Sequence, residues 1–462
     1  MSILALNRAL KEYTGSIFFQ ITVAVLAVLT WMMPGNLPWI FVALEILLSF
    51  FPLFSSDGRA YMPLLLFMNI TVSTSISFRS VPTYLYVLAG VTLFSILLFL
   101  AIKRMPLKKG ALSLPLLFLF LSFLISYIVH FVMGNSFDAT GLLFLTSLFL
   151  VVLCYILFNT CLKREDTILY FARTASVLAI AIAAEILLYQ VRHGFSIGDP
   201  TFNLGWAYTS QTASTILCLS LPFFGMLIAR KRFAWVFWEA FVLYGIITLS
   251  TDSGLIALLF SIVPLILLSF RTYGKAYPYL SLGILTVLGL ALVLLMLFNE
   301  AFRERVGMAL ANLNLLEGGN PQRHELFDKG LESFMAFPSL GSSISVLSQT
   351  ESGTIVFCSN TIISTMAMGG IVGLIFFILY EVFLYVTVLR KKAKEKWLFL
   401  VLLLVVEVIG LIDNTLYNLF ILLYILLAYS CYQISDRPDE VVVHESYYRD
   451  YPFERTIPYD SY

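Results

Sequence analysis

Long apolar stretches separated by short polar connections recur along the whole chain. Fourteen are distinguishable, at 15–33, 37–53, 60–78, 83–102, 111–130, 140–161, 168–190, 209–229, 235–250, 254–270, 280–298, 361–389, 397–412 and 416–434. A helix of about 20 apolar residues crosses a bilayer, and lipid offers no partner to backbone polar groups, so runs of this kind are expected to be helical. The pattern predicts an all-α integral membrane protein with about fourteen transmembrane helices.

The amino-acid composition narrows the class of protein and the kinds of ligand that are expected. Hydrophobic residues make up 60% of the 462 residues and charged residues only 12%, against roughly 25% charged residues in an average soluble domain. The formal net charge of +1 gives no reason to expect a nucleic-acid partner. The five cysteines show no CxxC or Cys/His spacing, so we expect neither a metal site nor a disulfide framework, and no cofactor.

The basic residues give the apolar runs an orientation. With the N-terminus in the cytoplasm, 23 of the 29 Lys and Arg residues fall on the cytoplasmic side, as the positive-inside tendency requires. The short outward turns then carry only Arg79 and Arg192. We therefore predict a polytopic domain over 1–434 that spans the membrane many times and has both ends in the cytoplasm.

One connection is much longer than the others. Residues 299–360, between the eleventh and twelfth runs, form a predicted large extracytoplasmic loop, and loops of this length are usually functional. Within it, the spacing predicts a surface helix over 300–316 and a second helix over 322–337 that ends before Pro338. The tail, 435–462, is acidic and rich in tyrosine and proline, which predicts a disordered cytoplasmic segment.

Acidic residues also fall inside the apolar runs. They are Glu45, Glu185, Glu239, Glu381 and Glu407. An ionised side chain in the bilayer is costly, so such a residue usually faces a partner or a cavity. We interpret Glu45 and Glu381 as helix-packing or near-interface residues, and a role in function for the other three is a hypothesis.

Two outward segments concentrate polar and aromatic side chains: Arg192, His193, Asp199, Asn203, Trp206 and Gln211 in one, and Arg323, His324, Glu325, Asp328 and Lys329 in the other. Guanidinium groups bind phosphate oxygens through paired hydrogen bonds, and an aromatic ring can lie under a sugar. These residues suit the binding of a lipid diphosphate and its glycan. The alternative, that the loops are polar only because they face water, stays open on composition.

Four short motifs occur in a fixed order between residues 195 and 390. They are NLGWAYTSQTA at 203–213, TDSGLIA at 251–257, FPSLG at 337–341 after the predicted helix that carries Arg323, and SNT at 359–361 followed by MGGIVGL at 368–374. Together they resemble the loop-to-helix signature, the Ser-Arg-Gly turn, the loop arginine with its Pro-x-x-Gly stop, and the His-Asn segment of the bacterial O-antigen polymerase and O-antigen ligase superfamily.

That resemblance implies a GT-C-like bundle and a metal-independent membrane glycosyltransferase. Such an enzyme joins polyprenyl-diphosphate-linked repeat units into a capsule, exopolysaccharide or O-antigen at the outer leaflet. The residues it implies for catalysis are Arg323, His324, Glu325 and Asp252, the first stabilising the diphosphate and the others being candidate bases. Those it implies for substrate binding are Arg192, His193, Asn203, Trp206, Gln211, Lys329, Ser359 and Asn360. The expected partners are the lipid-linked glycan, membrane lipids, a chain-length regulator and a flippase.

The chain departs from the superfamily pattern at two positions. Ser359 stands where the ligases have histidine, and Gly254 stands where many members have arginine, which favours a polymerase over a ligase. Two other classes of function remain open. A lipid-linked oligosaccharide flippase or other transporter can also have fourteen helices, although no internal repeat of the kind common in carriers is evident. A non-catalytic scaffold could use the tyrosine-rich tail for docking.

Overall fold

The structure, a computed structural model, describes the chain in ranges separated by gaps. These ranges are residues 3–32, 38–55, 57–68, 83–133, 139–163, 166–195, 197, 210–229, 234–272, 289–290, 293–300, 302–304, 306–307, 321–343, 358, 360–391, 395–414 and 416–434. Within them, all regular secondary structure is helical. The all-α prediction is therefore confirmed for the described part of the chain.

The longer helices are numbered here in chain order. They are α1 Ile3–Thr14, α2 Ile17–Met32, α3 Pro38–Ser49, α4 Thr83–Ile102, α5 Ser113–Val132, α6 Ala139–Cys161, α7 Thr167–His193, α8 Ser210–Ala229, α9 Ala234–Leu249, α10 Asp252–Thr272, α11 Pro321–Ala336, α12 Thr361–Arg390, α13 Lys396–Ile412 and α14 Leu419–Ile434. Between α3 and α4, short 3-10, α and π turns cover Phe51–Phe54, Gly58–Ala60, Tyr61–Pro63 and Leu64–Met68.

Twelve of these helices coincide with predicted apolar runs, and α11 is the second helix predicted in the long connection. The other helix, α1, is an addition: it is amphipathic, its Arg8, Lys11 and Glu12 are exposed, and a bend of 74° separates Asn7–Thr14 from Ile17–Thr30. Most of the predicted runs 60–78 and 280–298, most of the predicted surface helix 300–316, and the tail 435–462 lie outside the described residues.

Five helices are long and apolar enough to cross a membrane: Ser113–Val132, Gly141–Cys161, Thr167–His193, Ser210–Ile228 and Thr361–Arg390. The bent pair formed by α1 and α2 raises the number to 6 among the described residues. Shorter apolar helices, of 10–17 residues within the described part of the chain, are Trp39–Phe54, Val87–Ile102, Ala234–Leu249, Asp252–Ile266 and Leu419–Ile434. The chain is thus a helical membrane protein.

The last helix, α14, forms the centre of the bundle. Every residue of α14 except Gln433 is buried, and it packs against α6 and α7. Its tyrosines supply polar contacts within this apolar surrounding: the Tyr432 hydroxyl donates to the Val388 carbonyl at 3.1 Å, and the Tyr424 hydroxyl lies 3.2 Å from that of Ser220. A helix that is apolar on all sides is expected to be enclosed by other helices or by lipid; here other helices enclose it.

Hydrogen bonds to acidic residues in the apolar runs join neighbouring helices at two places. The Thr30 hydroxyl donates to the Glu45 carboxyl at 2.8 Å, joining α2 to α3. The Tyr385 hydroxyl donates to the Glu407 carboxyl at 3.4 Å, joining α12 to α13. The contact of Glu45 agrees with the interpretation that it is a helix-packing residue.

Helix α12 is broken at Gly370, which has φ 60° and ψ −154°. The segment 337–343, which follows α11, fills the break with its backbone. Ile371 N–H donates to the Pro338 carbonyl at 2.8 Å, and Ser342 N–H donates to the Ala367 carbonyl at 2.7 Å. The two glycine motifs of the sequence, 337–341 and 368–374, are therefore joined into a single structure, which we call the glycine seam.

Close backbone approach explains the glycines at this seam. Gly341 also has a positive φ, of 73°; a Cβ built on it would lie 2.6 Å from the Gly370 nitrogen, and one built on Gly370 would lie 2.5 Å from the Gly341 nitrogen. On another side of α12, a Cβ on Gly369 would meet the Phe123 ring of α5 at 2.8 Å. Small residues allow helices in membranes to approach closely, so α11, α12 and α5 meet at one place.

We expect Gly341→Ala and Gly370→Ala each to lower the free energy of unfolding. Backbone strain at positive φ alone contributes about 1–3 kcal/mol, and overlap with the opposite backbone adds to it. The measurement is the midpoint of thermal unfolding of the detergent-purified protein. Gly90→Ala is the matched control, because a Cβ there meets nothing within 4 Å and the exchange favours a helix by about 0.5–1 kcal/mol.

The double variant Gly341→Ala/Gly370→Ala sharpens this experiment. Residues that share one contact are not additive, so once one substitution has opened the glycine seam, the second costs less. The double variant should therefore lose less stability than the sum of the two single losses. Additive losses, or single variants as stable as the control, would contradict the interlocked arrangement.

Candidate functional site

Polar side chains gather at the end of the bundle where α8, α10, α12 and α14 begin. The Asn418 amide of α14 donates to the Thr212 hydroxyl of α8 at 3.0 Å. The Asn414 amide, in the turn before α14, donates to the Ser364 hydroxyl of α12 at 3.3 Å. With Asn360, these five side chains form what we call the amide cluster.

Asn360 is fixed on both sides of its amide. Its Oδ1 caps α12 by accepting from the N–H groups of Ile362 at 2.9 Å and Ile363 at 3.1 Å. Its Nδ2 donates to the Leu411 carbonyl of α13 at 3.1 Å. The side chain therefore ties the start of α12 to the end of α13, and this structural role is the one that its contacts establish.

The turn between α13 and α14 is held in the same way. Asn414 Oδ1 accepts from Tyr417 N–H at 3.3 Å, and Asn418 Oδ1 accepts from Ile421 N–H at 3.4 Å. The Tyr417 hydroxyl hydrogen-bonds with that of Thr365. Both asparagines thus use the oxygen for the local backbone and present the NH₂ group to other helices.

The start of α10 lies directly against α8. A Cβ built on Gly254 would overlap the Ser214 hydroxyl, and the Cys218 thiol donates to the Gly254 carbonyl at 3.4 Å. No side chain fits at Gly254 without movement of α8, and an arginine least of all. Close packing of α10 against α8 therefore accounts for a glycine at this position.

This arrangement is suited to a polyhydroxylated anion. Helix N-termini carry a partial positive charge, which attracts phosphates and carboxylates. Four helices begin at this end of the bundle, and the hydroxyls of Ser214 and Ser253, both 0% exposed, have no hydrogen-bond partner among the described residues. Amides and hydroxyls of this kind can bind the hydroxyl groups of a sugar.

Helix α11 lies against the first part of α12. A Cβ built on Gly330 would meet the Cys358 thiol at 2.5 Å and the Ile363 side chain at 2.6 Å, so this face of α11 is in close contact. Burial raises the pKa of the Cys358 thiol to about 11, which keeps it neutral near pH 7.

Two predicted residues on α11 lie on its other face. Glu325 and Lys329 are exposed and form an ion pair of 2.6 Å, one turn apart. The hydrogen bond and charge of Lys329 lower the pKa of the Glu325 carboxyl below its ordinary value. The Glu325 carboxylate is exposed to solvent and is kept ionised by Lys329. It is therefore a poor candidate for the general base. His324 is half-buried between the two faces.

The remaining predicted residues are placed as follows. Asp252 begins α10 and is half-buried, and Gln211 is half-buried in the first turn of α8 beside Thr212. Arg192 and His193 are exposed at the end of α7, where the His193 ring stacks on Tyr189 at 4.4 Å. Asn203, Trp206 and Ser359 lie outside the described residues. The structure thus brings Gln211, Asp252 and Asn360 to the same end of the bundle.

Sequence reasoning missed Asn414 and Asn418. Residues 413–415 read as a tight outward turn, and nothing local distinguishes a turn asparagine from one that bridges helices. The useful signal is the spacing: asparagines at 414 and 418 flank the start of an apolar helix, where a side-chain oxygen can cap and a free NH₂ group can reach outward.

No protein-family model matches the chain, and a search of curated proteins also finds no match. The functional interpretation therefore depends on the motifs and on this geometry. In the described part of the chain, no group of three or more His, Cys, Asp and Glu side chains could hold a metal ion.

We expect Gly254→Ala to destabilise the protein because the new methyl group overlaps Ser214. The added variant Ser214→Gly should recover most of that loss, although a glycine within a helix itself costs about 1 kcal/mol. The measurement is the thermal unfolding midpoint of the two single variants and the pair. If Ser214→Gly lowers the midpoint of Gly254→Ala further, α8 and α10 do not meet as described.

Proposed function

We propose that this protein is a polysaccharide polymerase of the bacterial plasma membrane. It joins polyprenyl-diphosphate-linked oligosaccharide repeat units at the outer face, as a metal-independent glycosyltransferase with about fourteen spans in a GT-C-like bundle. The observation that carries the proposal is the gathering of four helix N-termini and the amide cluster at one end of the bundle, beside the helix that bears Arg323.

Contacts between connections support the proposed orientation. On the predicted cytoplasmic side, Arg59 forms an ion pair of 2.6 Å with Asp166, and Lys391 donates to the Gln433 carbonyl at 2.8 Å. On the predicted outer side, the His130 ring contacts that of Phe337 at 4.8 Å. Segments assigned to one side from their charges thus touch segments assigned to the same side.

The proposed reaction needs positive charge at the leaving group. A hydroxyl oxygen of one repeat unit attacks the anomeric carbon of another, the bond from that carbon to the diphosphate oxygen breaks, and the lipid diphosphate leaves with the electron pair. Arg323, with Arg192 as candidate partner, would stabilise the charge that develops there. The helix N-termini supply a second, fixed contribution that needs no charged side chain.

The proton of the attacking hydroxyl needs an acceptor within hydrogen-bond reach. Asp252 is the candidate that the geometry supports best, because it begins α10 beside the amide cluster and is half-buried. His324 is the second candidate, and Glu325 is the weakest, since Lys329 already pairs with it. The amide cluster would then orient the sugars by hydrogen bonds to their hydroxyl groups.

One observation favours the rival transport function. Discontinuous membrane helices with exposed half-helix ends line the substrate sites of many secondary transporters, and α12 is interrupted at Gly370. Here, however, the freed backbone groups are paired with 337–343. The site where lipid-linked repeat units accumulate in a deletion strain separates the two functions: outside the membrane for a lost polymerase, inside for a lost flippase.

Arg323→Ala should abolish chain extension, with a loss of roughly 10²-fold or more in rate, as for other groups that stabilise transition-state charge. Arg323→Lys should retain a fraction of the activity, because the charge remains but the paired geometry is lost. Polymer formation from purified lipid-linked repeat units is the measurement. Glu332→Gln, an exposed change on the same helix, is the control, and long polymer from Arg323→Ala would remove the assignment.

Labelling from the two sides of the membrane tests the orientation directly. Met335, 73% exposed on α11, and Leu107, 68% exposed on a predicted cytoplasmic connection, are each replaced by cysteine. An impermeant maleimide applied to intact cells should label Met335→Cys and leave Leu107→Cys unlabelled until the membrane is opened. The reverse pattern would place α11 in the cytoplasm, and the proposed function would be lost.

A further inference from the structure

Helix α5 carries a polar stripe within an apolar sequence. Ser122, Ser126 and His130 follow one another at intervals of four residues and therefore lie on one face of the helix. All three are buried, with 2%, 0% and 3% of their surfaces exposed. The stripe begins beside the glycines of α12, where Ser122 lies 3.5 Å from a Cβ built on Gly369, and it ends beside Phe337.

The hydrogen bond of His130 fixes which ring nitrogen carries the proton. Nδ1 lies 3.0 Å from the Ser126 carbonyl oxygen, and a carbonyl can only accept. Nδ1 must therefore be the donor, and in the neutral ring Nε2 is left as an acceptor. Nε2 is buried and has no hydrogen-bond partner among the described residues.

Two hydroxyls share that property. Ser126 Oγ and Ser343 Oγ are buried and have no hydrogen-bond partner in the described part of the chain. Ser343 directly follows Ser342, whose N–H donates to the Ala367 carbonyl, so it belongs to the glycine seam. Phe123 lies against Gly369, and His130 is seven residues, about 10 Å, further along α5, towards the end of the bundle where α12 begins.

Buried polar atoms without partners are costly, about 1–3 kcal/mol each, and the unpartnered Nε2 of His130 beside the loop residue Phe337 indicates a site that a hydrogen-bonding ligand completes. We propose that His130 Nε2 accepts a hydrogen bond from a hydroxyl group of the glycan substrate. This inference rests on the proposed polymerase function. It assigns a binding residue that no motif of the sequence marks.

The Phe337 ring packs against His130. The two rings meet edge to face, at 4.8 Å and an interplanar angle of 77°, and Phe337 is itself 42% exposed. Because Phe337 begins the segment 337–343, the aromatic neighbour of His130 and the glycine seam are parts of one connection.

The ligand hydroxyl has two sources, a sugar or a trapped water molecule, and the experiment separates them. His130→Phe removes the acceptor and keeps a ring to fill the space, and His130→Gln retains an acceptor atom. Rates of chain extension are measured against the concentration of lipid-linked repeat unit, together with the thermal unfolding midpoint. Ile128→Ala, a change on the exposed side of α5, is the control and should alter neither the rate nor the substrate dependence.

For a sugar ligand, His130→Phe should lower kcat/KM by roughly tenfold to a hundredfold, the usual effect of leaving a bound hydroxyl unpaired. Its unfolding midpoint should be unchanged or higher, since an unpaired polar atom has been replaced by an apolar ring. His130→Gln should recover part of kcat/KM. A trapped water molecule predicts instead a lower midpoint in His130→Phe and an unchanged kcat/KM in every variant that remains folded.

The outcomes separate this inference from the function on which it rests. A wild-type protein that makes no polymer removes both. A wild-type protein that polymerises beside an equally active His130→Phe removes this inference alone. So does a loss of activity that follows the unfolding midpoint and is not recovered in His130→Gln, because that result assigns His130 to folding.

Discussion

The pairing of backbone polar groups in an apolar surrounding is the constraint on which the rest of the structure depends. In lipid an unpaired N–H or C=O costs several kcal/mol, so a membrane helix can be broken only where something else pairs the freed groups. In α12 the break at Gly370 is paired by the backbone of 337–343. The connection after α11 is thereby packed into the helical bundle. This packing fixes the position of α11 beside α12.

The sequence predicts those parts of the fold that are determined by residues close together in the chain. Apolar runs and the Pro338 stop correctly place twelve helices and α11, because each depends on residues near in the chain. The break in α12 could not be predicted. Gly369 and Gly370 look like a small packing surface, and the partners of the break lie about thirty residues earlier. The bridging roles of Asn414 and Asn418 could not be predicted for the same reason, since Asn414 reads as an ordinary turn residue and Asn418 as part of an apolar run.

Gly254 shows that a sequence motif can be misinterpreted when the packing around it is not known. Compared with the superfamily that the motifs resemble, it stands in place of an arginine, which weakens the interpretation as a ligase. In the structure it is the position at which α8 touches α10, with Ser214 occupying the space where a side chain would go. A glycine in the sequence can indicate either a missing functional group or a tight contact between helices. Only its neighbours in the three-dimensional structure distinguish the two cases.

The electrostatic character of the candidate site follows from the direction of its helices. In an up-and-down bundle, helix beginnings and ends alternate, and their opposite dipole charges largely cancel. Here the carbonyls that end α13 are engaged: the Leu411 oxygen accepts from Asn360 and the Asp413 oxygen from Thr361, at 3.5 Å for the latter. With those partial negative charges paired, the end of α13 opposes the positive ends of α8, α10, α12 and α14 less strongly. Neutral side chains thereby make this end of the bundle more favourable to an anion.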